Sequence, residues 1–342
     1  MKPKDDQKQE NVLFVGIDLG TSRSAISSSR GIREWIESYV GWPKDFIAEQ
    51  VVGKPVLFGA EALKHRLSLD FCRPLERGII KEGIESSERA VKEIIRHLID
   101  LAGPAPGEKI HAVVGVPAES LKVNKLAIRR AVAEYVNTLM VVSEPFAIAY
   151  GMNLLNDALI IDIGAGTIDF CIMHGTIPSE EDQRTILTAG DYIDEQLFDY
   201  LIEKYPNSKF NKNMVRQFKE KFSFVRDVPE PIRVELPVNG KPVMHDIQDE
   251  IRRACESMLP SLIETTTEMI ARFDPEFQMR IKNNIVLAGG GSQIRGIAEY
   301  LQDALKEYGT CKVTRVADPL FAGADGALKL AQDMPSKYWE TL

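Results

Sequence analysis

The stretches VGIDLGTS at residues 15–22 and IIDIGAGT at residues 160–167 follow one plan: an apolar strand, an aspartate and a glycine-rich turn. Their aspartates, Asp18 and Asp162, lie 144 residues apart. One such turn is weak evidence, because Asp-x-Gly also closes ordinary hairpins. Its recurrence predicts two similar halves that face each other across a cleft, each presenting a turn to the phosphates of a nucleotide.

The residue types in these turns suit phosphate and a metal ion. Glycine lets the backbone approach an anion closely, so that successive N–H groups converge on it. Asp18 and Asp162, at the ends of buried strands, are candidates to hold Mg²⁺ through its waters, because this ion prefers oxygen ligands and keeps part of its hydration shell. Thr21, Ser22 and Thr167 add hydroxyl donors. We therefore expect an ATP-driven machine.

Length and composition narrow the class of protein to which the chain can belong. With 342 residues, 44% of them hydrophobic and 27% charged, the chain suits roughly two folded domains. A net charge of −8 disfavours direct binding to nucleic acid or anionic lipid, so a DNA or membrane cargo would need an adaptor. The four cysteines form no Cys-x-x-Cys pair, and no apolar run reaches the ~18 residues of a membrane span. A reducing cytosol is the expected compartment.

The order of elements favours an α/β architecture in which many strands are parallel. Residues 1–11 are predicted to be a disordered polar tail. Apolar runs predict strands at residues 12–17, 110–116, 139–142, 158–163, 168–173, 185–188 and 285–288, and amphipathic helices at 121–136, at 192–205 and from residue 294. Residues 51–56 predict a hairpin, as does Asn239-Gly240. Ser86 or Ser87 is expected to cap a helix that ends at Gly103.

These motifs resemble those of the actin, Hsp70 and sugar-kinase ATPases. Residues 18–21 and 162–167 match the two phosphate motifs of that superfamily, and AGGGS at 288–292 matches its adenosine motif. SEP at 143–145 and AGADG at 322–326 match its two hinge segments, and all five occur in the superfamily's order. Lys219 and Glu220 resemble an actin helix that touches adenine and ribose, although an exposed helix face would look the same.

Within the superfamily, the chain from about Val12 onward is similar to the bacterial actins, and most of all to the magnetosome filament actins. The similarity includes VGWPKD at 40–45, VVSEPF at 141–146, FSFV at 222–225 and Tyr338-Trp339. It implies an actin-like fold of two duplicated α/β domains facing a nucleotide cleft. We expect a first domain at 12–151 plus 319–342, with an inserted subdomain at about 36–84, and a second at 152–318, with an inserted subdomain at about 192–248.

The resemblance also implies the site, with Mg²⁺-ATP between the two halves. The nucleotide-binding candidates are Asp18, Gly20, Thr21, Ser22, Gly164, Gly166, Thr167, Lys219, Glu220, Gly289, Gly290, Gly291 and Ser292. Asp18 and Asp162 are the metal candidates, through water. Glu144 and Asp162 are the catalytic candidates, Glu144 for positioning or deprotonating the attacking water. The alternative for Glu144 is a first-turn carboxylate favoured by the helix dipole beside Pro145.

The function implied is that of a cytoplasmic ATPase whose hydrolysis is stimulated by polymerisation. Its partners would be further copies of itself, joined head to tail in a filament, and an adaptor on magnetosomes, without direct contact to nucleic acid and without membrane insertion. Such a filament would organise magnetosomes in chains. The alternatives are a bacterial actin for DNA segregation or cell shape, and a non-polymerising small-molecule kinase of the same fold.

Overall fold

The computed structural model describes residues 12–80, 85–119, 121–228 and 230–341, so the tail predicted at residues 1–11 lies outside it. The strands are β1 Val12–Leu19, β2 Arg23–Ser28, β3 Arg33–Glu37, β4 Val40–Pro43, β5 Leu57–Phe58, β6 Leu69–Cys72, β7 Leu75–Glu76, β8 Ile79–Ile80, β9 Lys109–Val116, β10 Thr138–Ser143, β11 Asn156–Ile163, β12 Ile168–His174, β13 Gln183–Ile186, β14 Arg233–Val238, β15 Lys241–Asp246, β16 Ile285–Ala288, β17 Val313–Arg315 and β18 Glu340–Thr341.

The helices are α1 Phe46–Val52, α2 Gly59–Lys64, α3 Glu85–Leu101, α4 Leu121–Val132, α5 Glu144–Gly151, α6 Gly190–Lys204, α7 Lys212–Phe222, α8 Gln248–Glu256, α9 Leu259–Ala271, α10 Pro275–Lys282, α11 Ile297–Ala304 and α12 Ala322–Asp333. In the part of the chain that the structure describes, no helix combines the length and the apolar character that crossing a bilayer requires.

The first sheet has the strand order β18-β10-β9-β1-β2-β3. Strand β1 pairs in parallel with β9, which pairs in parallel with β10, while β2 and β3 continue the sheet antiparallel. The buried side chains of β1 and β9 pack into one apolar cluster with those of α3 and α4. Because the parallel strands point the same way, their carboxyl ends bring Asp18, Pro117 and Glu144 to one edge of the sheet.

The second sheet repeats this plan with the order β13-β12-β11-β16-β17. On one side of its strand β11, β16 pairs in parallel with β11 and β17 in parallel with β16. On the other side, β12 pairs antiparallel with β11 and β13 antiparallel with β12. The carboxyl ends of β11 and β16 bring Asp162 and Gly289 to one edge. The duplication inferred from the two glycine turns is therefore visible in the order of the strands.

Helices α5 and α12 cross each other, and their apolar side chains share a buried cluster with strands of both sheets. The crossing is close because it is made at glycine. A Cβ added at Gly326 would overlap the carbonyl oxygen of Ala147, and one added at Gly151 would lie 2.8 Å from the Cα of Gly326. These helices begin with the two segments that the sequence predicts to be hinges.

Smaller sheets lie between these elements along the chain. Strands β5, β4 and β6 form a three-stranded sheet, and β7 and β8 form a hairpin whose turn places Arg77 and Gly78 at φ angles of 51° and 72°. The hairpin predicted at Asn239-Gly240 is confirmed as β14–β15, with both turn residues in the left-handed region.

Several predicted elements need correction. Residues 51–56 do not form a hairpin, since α1 ends there at Val52: the Asp45 side chain caps its start and Gly53, at φ 69°, ends it. The predicted caps Ser86 and Ser87 lie inside α3. Helix α4 ends at residue 132 and not at 136, and the helix expected from residue 294 begins at 297, after a 3₁₀ turn at Gly290–Gln293.

Candidate active site

Residues from both sheets line a single cavity of about 310 Å³. It lies where the parallel strands of the two sheets end, which is the place where α/β folds bind ligands. The predicted site residues that line it are Asp18, Gly20, Thr21, Ser22, Glu144, Asp162, Gly164, Gly166, Thr167, Lys219, Glu220, Gly289, Gly290 and Gly291. Segments far apart in the sequence are thus brought to one place.

Both glycine turns are hairpin turns of the same length. In the first, Leu19 pairs with Ser24, and in the second, Ile163 pairs with Ile168, so that four residues close each turn. Glycine is needed at position 166, because an added Cβ would lie 2.6 Å from Thr21 Oγ1. The two turns therefore approach each other closely.

Glu144 is the first residue of α5, directly after β10. Its side chain is buried, and Glu144 Oε1 has no hydrogen-bond partner among the described residues. A buried carboxylate oxygen without a partner is costly unless a ligand or a water completes its bonding. Glu144 also lines the cavity, so its carboxyl group lies beside the cavity's contents, as the hypothesis of a water-positioning residue requires.

Three carboxyl groups of the cavity have raised pKa values. Burial raises the pKa of Asp18 to about 7. Burial also raises the pKa of Glu144 well above its usual value, and the negative charges of Asp18 and Asp162 raise it further. The pKa of Asp162 is raised by burial and then by Asp18 and Asp169. The mutual repulsion of these groups favours either a proton or a cation in the cavity.

In the described residues no three carboxylate, imidazole or thiol groups are placed to hold a metal ion together. The acidic groups nevertheless fit Mg²⁺ held largely through its waters, since oxygen donors line the cavity and Glu144 Oε1 is unpartnered. Glycine makes room for both aspartates: a Cβ added at Gly323 or at Gly289 would overlap the carboxylate of Asp18 or of Asp162 respectively.

Lys219 and Glu220 both line the cavity from α7, but each already has a partner in the protein. Lys219 Nζ donates to the carbonyl oxygen of Gly190 at 2.7 Å and lies 2.9 Å from Asp194 Oδ1. Burial raises the pKa of Asp194 to about 6, an effect that Lys219 opposes. Glu220 lies 3.4 Å from Arg23 across the cavity.

One predicted residue does not line the cavity. Ser292 is buried, and its hydroxyl donates to the carbonyl oxygen of Gly289 at 2.7 Å, so that it shapes the turn from behind. Conversely, sequence reasoning missed several lining residues, among them Pro117, Gly190, Ser223 and Leu320. Gly190 had a usable signal, because it lies two residues before the helix predicted at 192–205 and glycine permits close approach of the backbone to a ligand.

The comparisons with known proteins agree with this geometry. A family model described as "MreB/Mbl protein" matches residues 12–338. The chain belongs to the MreB/Mbl family. It is 42% identical to "Actin-like protein MamK" of Paramagnetospirillum magneticum over 333 residues, which are 97% of this chain and 96% of the relative. It is also 42% identical to the protein of that name from Magnetospirillum gryphiswaldense over 330 residues, 96% of this chain and 92% of the relative.

Solved structures show the actin-like fold of this chain. It is similar to the "MamK double helical filament" with a TM-score of 0.92 and 42% identity, over 95% of this chain and all of the other. It is also similar to a non-polymerising MamK variant bound to AMPPNP, with a TM-score of 0.74 and 41% identity over the same shares. The predicted actin-like fold is confirmed, as is the resemblance to bacterial actins.

Proposed function

We propose that this chain is a filament-forming bacterial actin that binds and hydrolyses ATP and organises magnetosomes in chains. The observation that carries the proposal is the convergence of two glycine turns and the carboxyl groups of Asp18, Glu144 and Asp162 on one cavity. The likeness to a MamK filament and to a MamK variant bound to AMPPNP supports the filament and the nucleotide. The magnetosome cargo rests on the family resemblance stated above.

In this proposal the residues of the two turns bind the phosphates of ATP. Backbone N–H groups and hydroxyls of Gly20, Thr21, Ser22, Gly164, Gly166 and Thr167 do so, while Lys219, Glu220, Gly289, Gly290 and Gly291 face the nucleoside. Glu144 Oε1, buried and unpartnered, accepts a hydrogen bond from the attacking water and aligns it with the terminal phosphate. The raised pKa of Glu144 also suits it to take a proton from that water.

Asp18 and Asp162 would hold Mg²⁺ through its waters. When bound, the ion would neutralise charge on the phosphate oxygens and so supply much of the charge stabilisation that phosphoryl transfer needs. The same positive charge relieves the repulsion among the buried carboxylates, so we expect the cation and the nucleotide to stabilise the closed cavity together.

Filament formation follows from a nucleotide that bridges two halves. ATP favours the closed arrangement, and a closed protomer presents matching front and back surfaces to identical copies. A head-to-tail contact that does not close on itself produces a filament. Contacts with the next protomer would then complete the site around Glu144 and stimulate hydrolysis, and release of phosphate would weaken them.

We also propose the division of the chain that the resemblance implies. The first sheet and α12 would belong to the domain at 12–151 plus 319–342, and the second sheet to the domain at 152–318. The sheet of β4, β5 and β6 falls in the insertion at about 36–84, and the β14–β15 hairpin in the insertion at about 192–248. The filament would be cytoplasmic and linked to magnetosomes by an adaptor protein.

The first test is polymerisation with Mg²⁺-ATP, compared with Mg²⁺-ADP and with ATP in EDTA. Light scattering, phosphate release and negative-stain images are recorded in parallel. We expect filaments with Mg²⁺-ATP and phosphate release that rises as they form. If the rate of phosphate transfer per protein molecule did not depend on protein concentration and no polymer formed, the kinase alternative would be favoured.

Glu144→Gln tests the catalytic assignment. The amide keeps the size of the side chain but cannot take a proton, so we expect phosphate release to fall by about 10²-fold or more, while filaments still form and persist longer. Glu268→Gln, which changes an exposed glutamate of α9, is the control and should match the wild type. Equal turnover in Glu144→Gln and the wild type would remove Glu144 from catalysis.

The cargo is tested with fluorescently labelled protein in a magnetosome-forming cell. Filaments that run along magnetosome vesicles support the proposal. Filaments that instead bind a plasmid through an adaptor would favour DNA segregation, the nearest alternative.

A further inference from the structure

Arg73 does not line the cavity, but it contacts the first glycine turn directly and is linked to the second through Asp191. It stands between β6 and β7 in the inserted region of the first half. Its Nε donates to the carbonyl oxygen of Thr21 at 3.0 Å. Its two terminal nitrogens meet the two carboxylate oxygens of Asp191, Nη2 at 3.1 Å from Oδ1 and Nη1 at 3.0 Å from Oδ2. One planar guanidinium thus makes both contacts.

Asp191 is fixed to the second glycine turn. It is the second residue of α6, where a carboxylate is favoured by the helix dipole. Its backbone N–H donates to the carbonyl oxygen of Ala165 at 2.7 Å, and the N–H of Gly190 donates to that of Gly164 at 3.2 Å. A displacement of the Asp191 carboxylate would therefore pull on residues that line the cavity.

Thr21 is fixed to the same inserted segment at a second point. Its side chain is buried, and Thr21 Oγ1 accepts a hydrogen bond from the N–H of Gly78 at 3.3 Å. Gly78 also packs closely against both halves, since an added Cβ would lie 2.7 Å from Pro117 Cγ of the first half and 3.0 Å from Thr167 Cγ2 of the second. Residues 73–78 therefore touch the walls of the cavity from both halves.

We propose that Arg73 is a positioning residue that sets the separation of the two glycine turns, through Thr21 on one side and Asp191 on the other. It thereby couples the inserted segment at residues 69–80 to closure of the cavity on the phosphates. This inference rests on the proposed function of the cavity as an ATP site.

The expected sizes of the two effects favour a role for Arg73 in positioning the turns over a role in the overall stability of the protein. The side chains of Arg73 and Asp191 are each 30% exposed, and ion pairs with this access to water contribute little to overall stability. By contrast, a displacement of about 1 Å among groups that hold a reacting phosphate can lower a rate about 100-fold. Lysine cannot replace the fork of the guanidinium, because one ammonium group cannot span both partners with the same geometry.

The test uses the full chain with Arg73→Gln, Arg73→Lys, Asp191→Asn and the double variant Arg73→Gln/Asp191→Asn. Lys54→Gln is the control, because it breaks the exposed Lys54–Glu61 pair of the same inserted region without touching either turn. Thermal unfolding is measured without ligand and with Mg²⁺-AMPPNP, at concentrations where light scattering shows no polymer. Phosphate release is measured with saturating Mg²⁺-ATP.

We expect the ligand-free melting temperatures to match the wild type, while affinity for Mg²⁺-AMPPNP and phosphate release fall about tenfold or more. The double variant should be no worse than the single ones, because both changes break the same link. The proposal would be overturned if Arg73→Gln bound Mg²⁺-AMPPNP and released phosphate like the wild type. It would also be overturned if a drop in the ligand-free melting temperature accounted for the whole loss of affinity and phosphate release. A wild-type chain that binds no Mg²⁺-AMPPNP would instead overturn the proposed function.

Discussion

The two glycine turns share their backbone plan and differ in what holds them. Each closes over four residues after a strand that carries an aspartate, and each aspartate lies against a glycine that leaves room for it. The residue that pairs with the aspartate across the hairpin is Ala25 in the first turn and Asp169 in the second. The two hairpins therefore share the same strand register, while the contacts that hold their turns in place differ.

Asp169 attaches the second turn to the other half of the molecule. Its buried Oδ1 accepts hydrogen bonds from the N–H of Ala118 at 2.8 Å and from Thr185 Oγ1 at 2.6 Å. Ala118 follows β9 of the first sheet, and Thr185 lies on β13 of the second. Ala25 has no side chain that could do this, and the first turn is held from outside by Arg73 and Gly78. One turn is thus attached by a residue of its own hairpin, and the other by an insertion.

The largest expected effect in this comparison is that of Asp169→Ala. The change leaves the buried N–H of Ala118 without its acceptor, and we expect the free energy of unfolding to fall by about 3 kcal/mol. Urea denaturation measures it below pH 6, where the carboxyl group of Asp169 keeps its proton in the folded protein. Thr185→Val, which keeps the bond between Asp169 and Ala118, is the control and should cost less. A loss below about 0.5 kcal/mol in Asp169→Ala would mean that the attachment is not needed.

The same carboxyl group predicts a dependence on pH. Burial raises the pKa of Asp169 from 3.8 to about 6, so the folded protein holds this proton more tightly than the unfolded chain. Its contribution to stability is therefore complete below pH 4 and is lost as the pH rises through about 6. Asp169→Asn lacks this titration, so the wild type should lose about 2 to 3 kcal/mol relative to it across that range. Denaturation at several pH values measures the difference, and a constant difference would contradict the prediction.

A smaller effect separates the glycines of the two turns. A Cβ added at Gly20 would overlap the carbonyl oxygen of Arg23, whereas one added at Gly164 would lie 3.1 Å from that of Thr167. We expect Gly20→Ala to cost about 2 kcal/mol and Gly164→Ala less than about 1 kcal/mol, measured by thermal unfolding. Gly290→Ala, with no heavy atom within 4 Å of the added Cβ, is the control. Equal losses at Gly20 and Gly164 would show that the turns tolerate a side chain alike.

Much of the fold could be predicted because its signals are local. The apolar runs at β1, β9, β11 and β16 are long enough to indicate buried strands, and Asn239-Gly240 marks a hairpin by its own backbone preference. Where two local signals competed, the prediction at residues 51–56 was wrong. The valines there favour a strand, but the cap at Asp45 and the left-handed Gly53 set a helix in place.

The candidate site was predictable as a set of motifs and not as a set of contacts. The motifs placed Glu144 and both aspartates near one cleft, and the structure brings these residues to one cavity. Asp169 and Arg73 were missed because their partners, Ala118, Thr185 and Asp191, lie 16 to 118 residues away in the chain. The spacing of residues in the sequence does not predict side-chain contacts between such distant positions.

The sequence by itself determined the two aspartate-led strands, their glycine turns and the α/β order of elements, because strand periodicity and glycine conformation depend on neighbouring residues. Only the tertiary structure decided how far apart the turns lie, which carboxyl groups crowd together and which side chains join the halves. Those properties depend on the packing of two sheets against α5 and α12, which buries the cavity's carboxyl groups; burial raises the pKa of Asp18 to about 7.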